Sequence, residues 1–531
     1  MRRGFYIILV LLVALILRLC PTFLSGLPFS TDAWSPIRNA EVLMRYTPVS
    51  MGDDKIFDGY NNYWPANSIF GVIFSYVVGL KVMDAMAIGI PLVGALTVLI
   101  FYVLVEKISK NSEVAFFSSI LLAVAYPYVL FTAGVTKETF ANPLYVLILL
   151  IFLGYGGLRG LLLFVIVSVA LVMSHHLTAL IAITILVSVT FAIEIFRVRR
   201  GNDLNKFSIL LTSILSLIAV MYFIFYAQRG LRIAVTSSDV LSVVSYQVVA
   251  FVLVLYFIFK PGSYSRKRTF LSCLLSIILV FLIILLATER PIVPGAPILP
   301  KYYLFYASPF VLISPLMILG FGVVRDVKDE KYMVPLFWLA VLLGLEGYAV
   351  FGNSPLGFVL AYRIIDFLWL PLAIISAFGF YRLLINGNVK ISKFIVSLFI
   401  LLILALNSYD FYASIMLQER YLGYFWLYSQ QEYAASKWIT TVTNQTILGD
   451  VKVSYLLSGY FNVPTNPEQG LQYLIGDKDI KRITLFIYEQ MLKNGYVLYG
   501  GYSIDLPKNW TEKTNNLNLI YSNGQVEIYN R

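Results

Sequence analysis

The sequence predicts an all-α polytopic membrane protein of about thirteen transmembrane helices, followed by a small extracytoplasmic α/β domain. Three observations predict it. Of the 531 residues 59% are hydrophobic and only 13% charged, against about 25% charged in a soluble globular domain, and the mean hydropathy is +0.79. Apolar runs of roughly 20 residues, the length of a bilayer-crossing helix, recur through residues 1–411. From residue 412 onward the composition turns mixed, polar and aromatic. These features exclude a soluble enzyme and a disordered chain.

The spans are read at 5–24, 84–106, 114–132, 138–155, 158–173, 177–196, 207–227, 240–259, 269–287, 302–323, 332–351, 358–384 and 394–411. The first follows Met1-Arg2-Arg3 without a small-residue cleavage site and reads as a retained signal anchor. The run 69–80 (IFGVIFSYVVGL) is short for a span, and Trp64-Pro65 precedes it as an interfacial anchor would. It reads as an amphipathic or re-entrant helix in a long loop, 25–83.

Charge sets the orientation. With 69–80 left uncrossed, the cytoplasmic segments hold 19 Lys and Arg and the outer loops 10. A crossing there would send RVRR (197–200) and SRKR (265–268) outside, against the positive-inside bias. The N-terminus is therefore expected in the cytoplasm of a plasma-membrane protein, with residues 412–531 outside. The net charge of +11, from 40 basic and 29 acidic residues, resides in the cytoplasmic segments. It is a topology signal and implies no nucleic-acid partner. Cys20 and Cys273 both sit in apolar runs, which leaves no disulfide framework and no cysteine metal cluster.

In residues 412–531 the alternating runs LNLIYS and QVEIYN flank Asn523-Gly524, a β-hairpin signal. Two sequons, at Asn444 and Asn509, would face the glycosylation compartment. There is no GxxxxGK[ST] loop for a nucleotide and no HExxH zinc helix.

Ionisable groups are costly at membrane depth, so those near span ends carry the functional information. On the expected outer side lie Asp32, Lys137-Glu138, His175-His176, Glu289-Arg290, Glu346, and Arg363 with Asp366. Each has a structural reading as well. Asp32 suits a helix cap, and Glu138 a helix-dipole contact. Glu289-Arg290 suits a local ion pair, and the histidines suit interfacial hydrogen bonding. Arg363 suits snorkelling, with Asp366 a partner three residues on. Their joint placement on one side points to a polar site at the outer membrane face.

In order and spacing these residues resemble the GT-C superfamily of polytopic glycosyltransferases, which use polyprenyl-phosphate-linked sugars at the outer membrane face. An early acid, Asp32, follows the first span. Tyr63-Trp64-Pro65 then leads into an interfacial helix ending near Gly79, and Ala125-Tyr126-Pro127 lies in the second of the two spans that follow. Within the superfamily the chain looks most like the archaeal and eukaryotic oligosaccharyltransferase catalytic subunit. That resemblance puts the first-loop acid at Asp32, the second acidic motif at Thr136-Lys137-Glu138 with only Glu138 acidic, and a later loop glutamate at Glu289 of ATERP. The phosphate-contacting arginine falls on Arg363 of AYRIIDFLWLP. The WWDYG acceptor motif is missing: its place is taken by ILGDVKVSYLLSG, where Asp450 is the acid.

The resemblance implies transfer of a sugar or oligosaccharide from a polyprenyl-phosphate donor to a protein or glycan acceptor, in protein or cell-surface glycosylation. Arg363 would bind the donor phosphate, with Arg290, His175 and His176 as further donor contacts. Asp32 would orient or deprotonate the acceptor. Convergence of Asp32, Glu138 and Glu289 would require Mg²⁺ or Mn²⁺ between them; alternatively Asp32 acts alone as base, with Glu138 assisting. No nucleotide is implied, and membrane lipid is a partner throughout. Two rival classes are a flippase or transporter of a lipid-linked substrate, which calls for deep charges and repeats, and a non-catalytic surface assembly protein.

Overall fold

The apolar runs become helices because hydrocarbon offers the backbone no hydrogen-bond partner, and a helix satisfies its amides within one segment. A computed structural model describes residues 2–46, 59–230, 236–259, 266–291, 297–327, 329–352, 355–386, 390–443, 445–476 and 482–531. The sequon residue Asn444 and the cations Lys55, Arg232, Lys260 and Lys328 lie outside the described residues.

The helices are α1 (Arg2–Ser25), α2 (Trp34–Arg45), α3 (Ala66–Val78), α4 (Val82–Ser109), α5 (Ser112–Val124), α6 (Tyr126–Ala133), α7 (Lys137–Gly154), α8 (Gly157–Ser174), α9 (His176–Arg199), α10 (Lys206–Phe225), α11 (Ser237–Phe259) and α12 (Arg266–Ala287). They continue as α13 (Tyr303–Tyr306), α14 (Ser308–Val327), α15 (Glu330–Phe351), α16 (Pro355–Asn386), α17 (Lys390–Ile415), α18 (Gln430–Val442), α19 (Val451–Leu457), α20 (Pro467–Ile475), α21 (Glu489–Asn494) and α22 (Trp510–Thr514). Among the described residues twelve helices are long and apolar enough to cross a membrane, or thirteen with α5 and α6 taken as one broken span. The protein is a multi-pass membrane protein, and the predicted thirteen spans are reached only when that broken pair is counted as one.

The third predicted span, 114–132, is not straight: α5 and α6 meet at 66°. Ala125 leaves the helical region with ψ 111°, and Pro127 has no N–H to continue the ladder. The freed N–H of Tyr126 donates to Asn407 Oδ1 at 3.1 Å. The run 69–80 forms the short helix α3, which starts after Pro65 and stops where Gly79 takes φ 71°.

Contacts divide the chain into two units. A bundle unit comprises Met1–Leu17, Val93–Thr132 and Phe140–Phe411, and a mixed unit comprises Arg18–Leu92, Ala133–Thr139 and Tyr412–Arg531. In the bundle unit α16 packs on α5, α14 and α15, while α15 also packs on α9 and α11. Helices α14 and α16 approach backbone to backbone: a Cβ on Gly320 would meet the carbonyl of Ile375, and one on Gly379 that of Leu316. Tyr145 lies edge-on to Trp338 and Phe367, with ring centroids at 5.7 and 5.8 Å.

The mixed unit carries a four-stranded sheet in the order β1-β2-β6-β5, labelled with the pair β3 and β4 in chain order. Strand β1 (Ile447–Leu448) is parallel to β2 (Thr484–Tyr488); β6 (Val526–Asn530) is antiparallel to both β2 and β5 (Asn518–Ser522). Strands β3 (Tyr496–Leu498) and β4 (Tyr502–Ile504) pair separately. The predicted hairpin is β5–β6. Its turn is held by Asn523 Oδ1, which accepts the Val526 N–H at 3.0 Å, and by Gly524 at φ 90°. Strand β2 is buried along its whole length, in a core with Ile439, Leu474 and Ile528.

Candidate functional site

In the mixed unit the predicted first acid sits on a tightly tethered segment. The N–H of Ser30 donates to the Trp426 carbonyl at 3.0 Å, and the Phe29 carbonyl accepts the Val135 N–H at 2.9 Å. Ser30 is held at φ 93°, ψ 141°, an uncommon conformation for a residue with a side chain. Its hydroxyl accepts the Asp32 N–H at 3.3 Å and caps the short 3₁₀ turn Thr31–Ala33. The N-cap of α2 is Ala33, without a side-chain cap. The capping chemistry that the sequence allows for Asp32 is therefore carried by Ser30, and the half-buried Asp32 follows it.

The Val135 hydrogen bond brings the Thr136-Lys137-Glu138 segment against the Asp32 segment. Thr136 Oγ1 accepts the Thr139 N–H at 3.0 Å and opens α7, while Thr139 Oγ1 donates to the Gly134 carbonyl at 2.7 Å. This places Glu138 in the first turn of α7, where the helix dipole favours a carboxylate. Lys137 and Glu138 are both buried, 6% and 3% exposed, and Lys137 Nζ lies 5.6 Å from the Trp64 ring centre. Two ionisable side chains at such burial are costly unless the surroundings stabilise their charge.

The other candidates belong to the bundle unit. Arg363 is half-buried on α16, and its Nε donates to the Tyr362 hydroxyl at 3.1 Å. Tyr362 stacks on Phe131 with centroids at 6.2 Å. Asp366, one turn on, is fully buried. His175 is buried at the junction of α8 and α9, with Nδ1 2.7 Å from Thr178 Oγ1, and its ring meets that of His176 edge-on at 5.0 Å. Glu289 and Arg290 are exposed just past α12, and Glu289 is ion-paired with Lys301 at 3.4 Å.

Asp450, in the stretch that replaces WWDYG, is fully buried. One oxygen accepts the Val453 N–H at 3.0 Å and caps α19. The other accepts the Tyr488 hydroxyl at 2.6 Å and the Val497 N–H at 3.2 Å. Beside it Lys452 forms a buried ion pair with Glu432 at 2.5 Å, and its ammonium lies 4.6 Å from the Tyr488 ring centre. This carboxylate is consumed by the fold of the mixed unit.

For a divalent cation, Asp32 and Glu138 are hard oxygen donors on hydrogen-bonded neighbouring segments, whereas Glu289 is exposed and engaged by Lys301. Among the described residues no group of three or more His, Cys, Asp or Glu side chains is gathered to hold a metal ion. Mg²⁺ demands near-octahedral oxygen coordination, so this donor set covers only part of a shell.

Sequence reasoning missed Ser30, Val135 and Trp426 as positioning residues, because hydrogen bonds between distant backbone segments leave no side-chain signature. It also missed Tyr362 beside Arg363 and Lys301 beside Glu289. The first was visible only as an adjacent aromatic, the second only as one cation in the same loop.

The fold defined by these units is a GT-C-like polytopic fold. Among solved structures the chain is similar to the Archaeoglobus fulgidus oligosaccharyltransferase in its apo form, at 15% identity and a TM-score of 0.59, covering 99% of this chain and 74% of that one. It is similar to the archaeal oligosaccharyltransferase AglB from Archaeoglobus fulgidus in complex with an inhibitory peptide and a dolichol-phosphate, at 13% identity and TM-score 0.58, covering 92% of this chain and 69% of that one. A complex of the Archaeoglobus fulgidus oligosaccharyltransferase with Zn and sulfate matches at 13% identity and TM-score 0.53, covering 92% and 68%. No protein-family model and no curated protein sequence matches the chain.

Proposed function

We propose that this protein is a membrane glycosyltransferase that moves a sugar or oligosaccharide from a polyprenyl-phosphate donor to a protein or glycan acceptor at the outer membrane face. The observation that carries the reading is the tethered Asp32 segment: a half-buried carboxylate on a segment hydrogen-bonded to the one that leads into Glu138, within a fold shared with an archaeal oligosaccharyltransferase solved with a dolichol-phosphate. In the proposed step an acceptor O–H or N–H attacks the anomeric carbon. The bond from that carbon to the phosphate oxygen breaks, its electron pair leaves with the polyprenyl phosphate, and the acceptor proton passes to Asp32. Arg363 stabilises the charge growing on the leaving phosphate, with Arg290 and the His175-His176 pair assigned to the donor side and Glu289 to its loop. Glu138 assists Asp32; a divalent cation, if bound, would take its protein oxygens from these two residues. The internal bonding of Asp450 favours an acceptor read by other groups of the outer domain.

The test is transfer by the purified, reconstituted protein from a set of lipid-linked sugars, with products identified by mass spectrometry. Transfer is expected to fall by at least about a hundredfold in Asp32→Ala and in Arg363→Ala. Wild-type rates in both variants would overturn the reading. Movement of the donor between leaflets without transfer would replace it with the flippase reading. EDTA without effect would leave Asp32 as the base and remove the cation.

A further inference from the structure

The α9–α10 hairpin carries a feature that the transfer reading does not use. The two helices pack on each other and are pinned by Thr190 Oγ1 and Thr212 Oγ1 at 2.8 Å. Around this polar pair and towards the connecting loop they form a groove of about 640 Å³, lined mainly by apolar Val187, Phe191, Ile195, Val198, Leu204 and Ile209, with Glu194 also on its wall. Phe191 and Val198 are 63% and 60% exposed, so the described residues do not cover them. From Val187 to Val198 the groove follows α9 for about 16 Å. A concave apolar strip on a spanning helix holds a single acyl chain through more dispersion contacts than a flat helix face provides.

The chemistry at the loop end specifies the headgroup. Arg199 lines the groove and is exposed, with its guanidinium carbon 4.1 Å from the Phe259 ring centre. Stacking occupies the guanidinium face and leaves its planar N–H edge to meet a phosphate. Among the described residues no carboxylate is ion-paired with Arg199. The acids nearby are Glu194, whose Oε2 accepts the Asn205 N–H at 2.9 Å, and Asp203, whose carbonyl accepts Arg197 Nε at 2.9 Å. Against these two acids stand Arg197, Arg199, Arg200 and Lys206. The surplus is cationic, which favours an anionic lipid over a zwitterionic one.

We propose that this groove is a binding site for an anionic membrane phospholipid, with one acyl chain along α9 and the phosphate on Arg199. The site is independent of the transfer reading. It is tested on the full-length protein, delipidated in detergent and then offered phosphatidylglycerol, phosphatidylcholine or inorganic phosphate, with retained lipid counted by native mass spectrometry. Wild type is expected to retain phosphatidylglycerol at least fivefold better than phosphatidylcholine, and inorganic phosphate is expected not to compete. Arg199→Gln is expected to abolish that preference, and Ile209→Trp, which fills the groove, to lower retention of both lipids; their melting temperatures without lipid serve as the folding control. Equal retention of the two lipids by wild type overturns the proposal. So does competition by inorganic phosphate, or an unchanged phosphatidylglycerol preference in both folded variants.

Discussion

The backbone N–H of Val135 donates to the carbonyl of Phe29 at 2.9 Å, joining the segment that carries Asp32 to the segment that carries Glu138. With Ser30 tied to Trp426 in the same way, the candidate base is held by backbone groups from three separate parts of the mixed unit. Backbone tethers of this kind fix the position of the segment that carries a carboxylate. Positioning to within a fraction of an ångström is what proximity catalysis requires.

Asp32→Asn therefore separates chemistry from stability. Asparagine keeps the shape of the side chain and Ser30 carries the cap, so unfolding free energy is expected to change by about 0.5–1 kcal/mol. Transfer from a lipid-linked donor is expected to fall by about 10²–10⁴-fold. Paired thermal-melt and product measurements on one preparation check both halves.

Arg363→Lys keeps the positive charge and loses the planar two-pronged donor. Transfer is expected to drop about tenfold, equivalent to about 1.4 kcal/mol, with Arg363→Ala lower still. An initial-rate series over donor concentration decides the order; Lys indistinguishable from Ala would mean that charge is not what this position supplies.

Ser30 offers a test of backbone strain. Its φ of 93° costs on the order of 1–3 kcal/mol in a residue bearing a Cβ. Ser30→Gly relieves that strain and loses one weak hydrogen bond, so it is expected to be neutral or stabilising. Ser30→Ala keeps the strain, loses the cap and is expected to destabilise by about 1 kcal/mol. Melting temperatures that rank Ala above Gly would contradict the geometry.

Burial pushes the Asp450 carboxyl up to about 6, while hydrogen bonds from Tyr488, Val453 and Val497 and the charge of Lys452 pull it back. An unfolded aspartate titrates near 3.9, so between about pH 4 and 6 the folded protein keeps a proton that the unfolded chain has released. The stability linked to this group is full below about pH 4 and is lost as pH rises through 6. The swing is on the order of 3 kcal/mol. Relative to Asp450→Asn, wild type is expected to gain melting temperature between pH 7 and pH 5, and a flat difference would rule this linkage out.

The Glu432–Lys452 pair, with side chains 8% and 2% exposed, supports the mixed unit from inside. Removing only one charge, as in Lys452→Met, is expected to cost about 3–5 kcal/mol. Replacing both with apolar residues is expected to recover much of that loss. A double-mutant cycle by chemical denaturation measures the coupling.

The membrane helices were legible because each is a local demand: about 20 apolar residues satisfy a span wherever they fall in the chain. The hairpin at Asn523-Gly524 was legible for the same reason, since two residues set its turn. The break in the third span was not read from the sequence. The sequence reading took 114–132 as one span although Pro127 lies within it, and Asn407, which receives the freed Tyr126 N–H, comes from a helix far along the chain. Among the candidate site residues, Asp32, Glu138 and Arg363 stood out by type, as ionisable groups where lipid makes them costly.

Their circumstances were decided by the tertiary structure. It moved the capping role from Asp32 to Ser30, gave Glu289 the partner Lys301, and closed Asp450 inside a hydrogen-bonded interior. By itself the sequence determined the transmembrane character and the hairpin, because hydrophobic length and turn chemistry act over neighbouring residues. Only the folded chain decided that Glu289 pairs with Lys301 and that Asp450 is enclosed by Tyr488, Val453 and Val497, because such hydrogen bonds and ion pairs join residues distant in sequence.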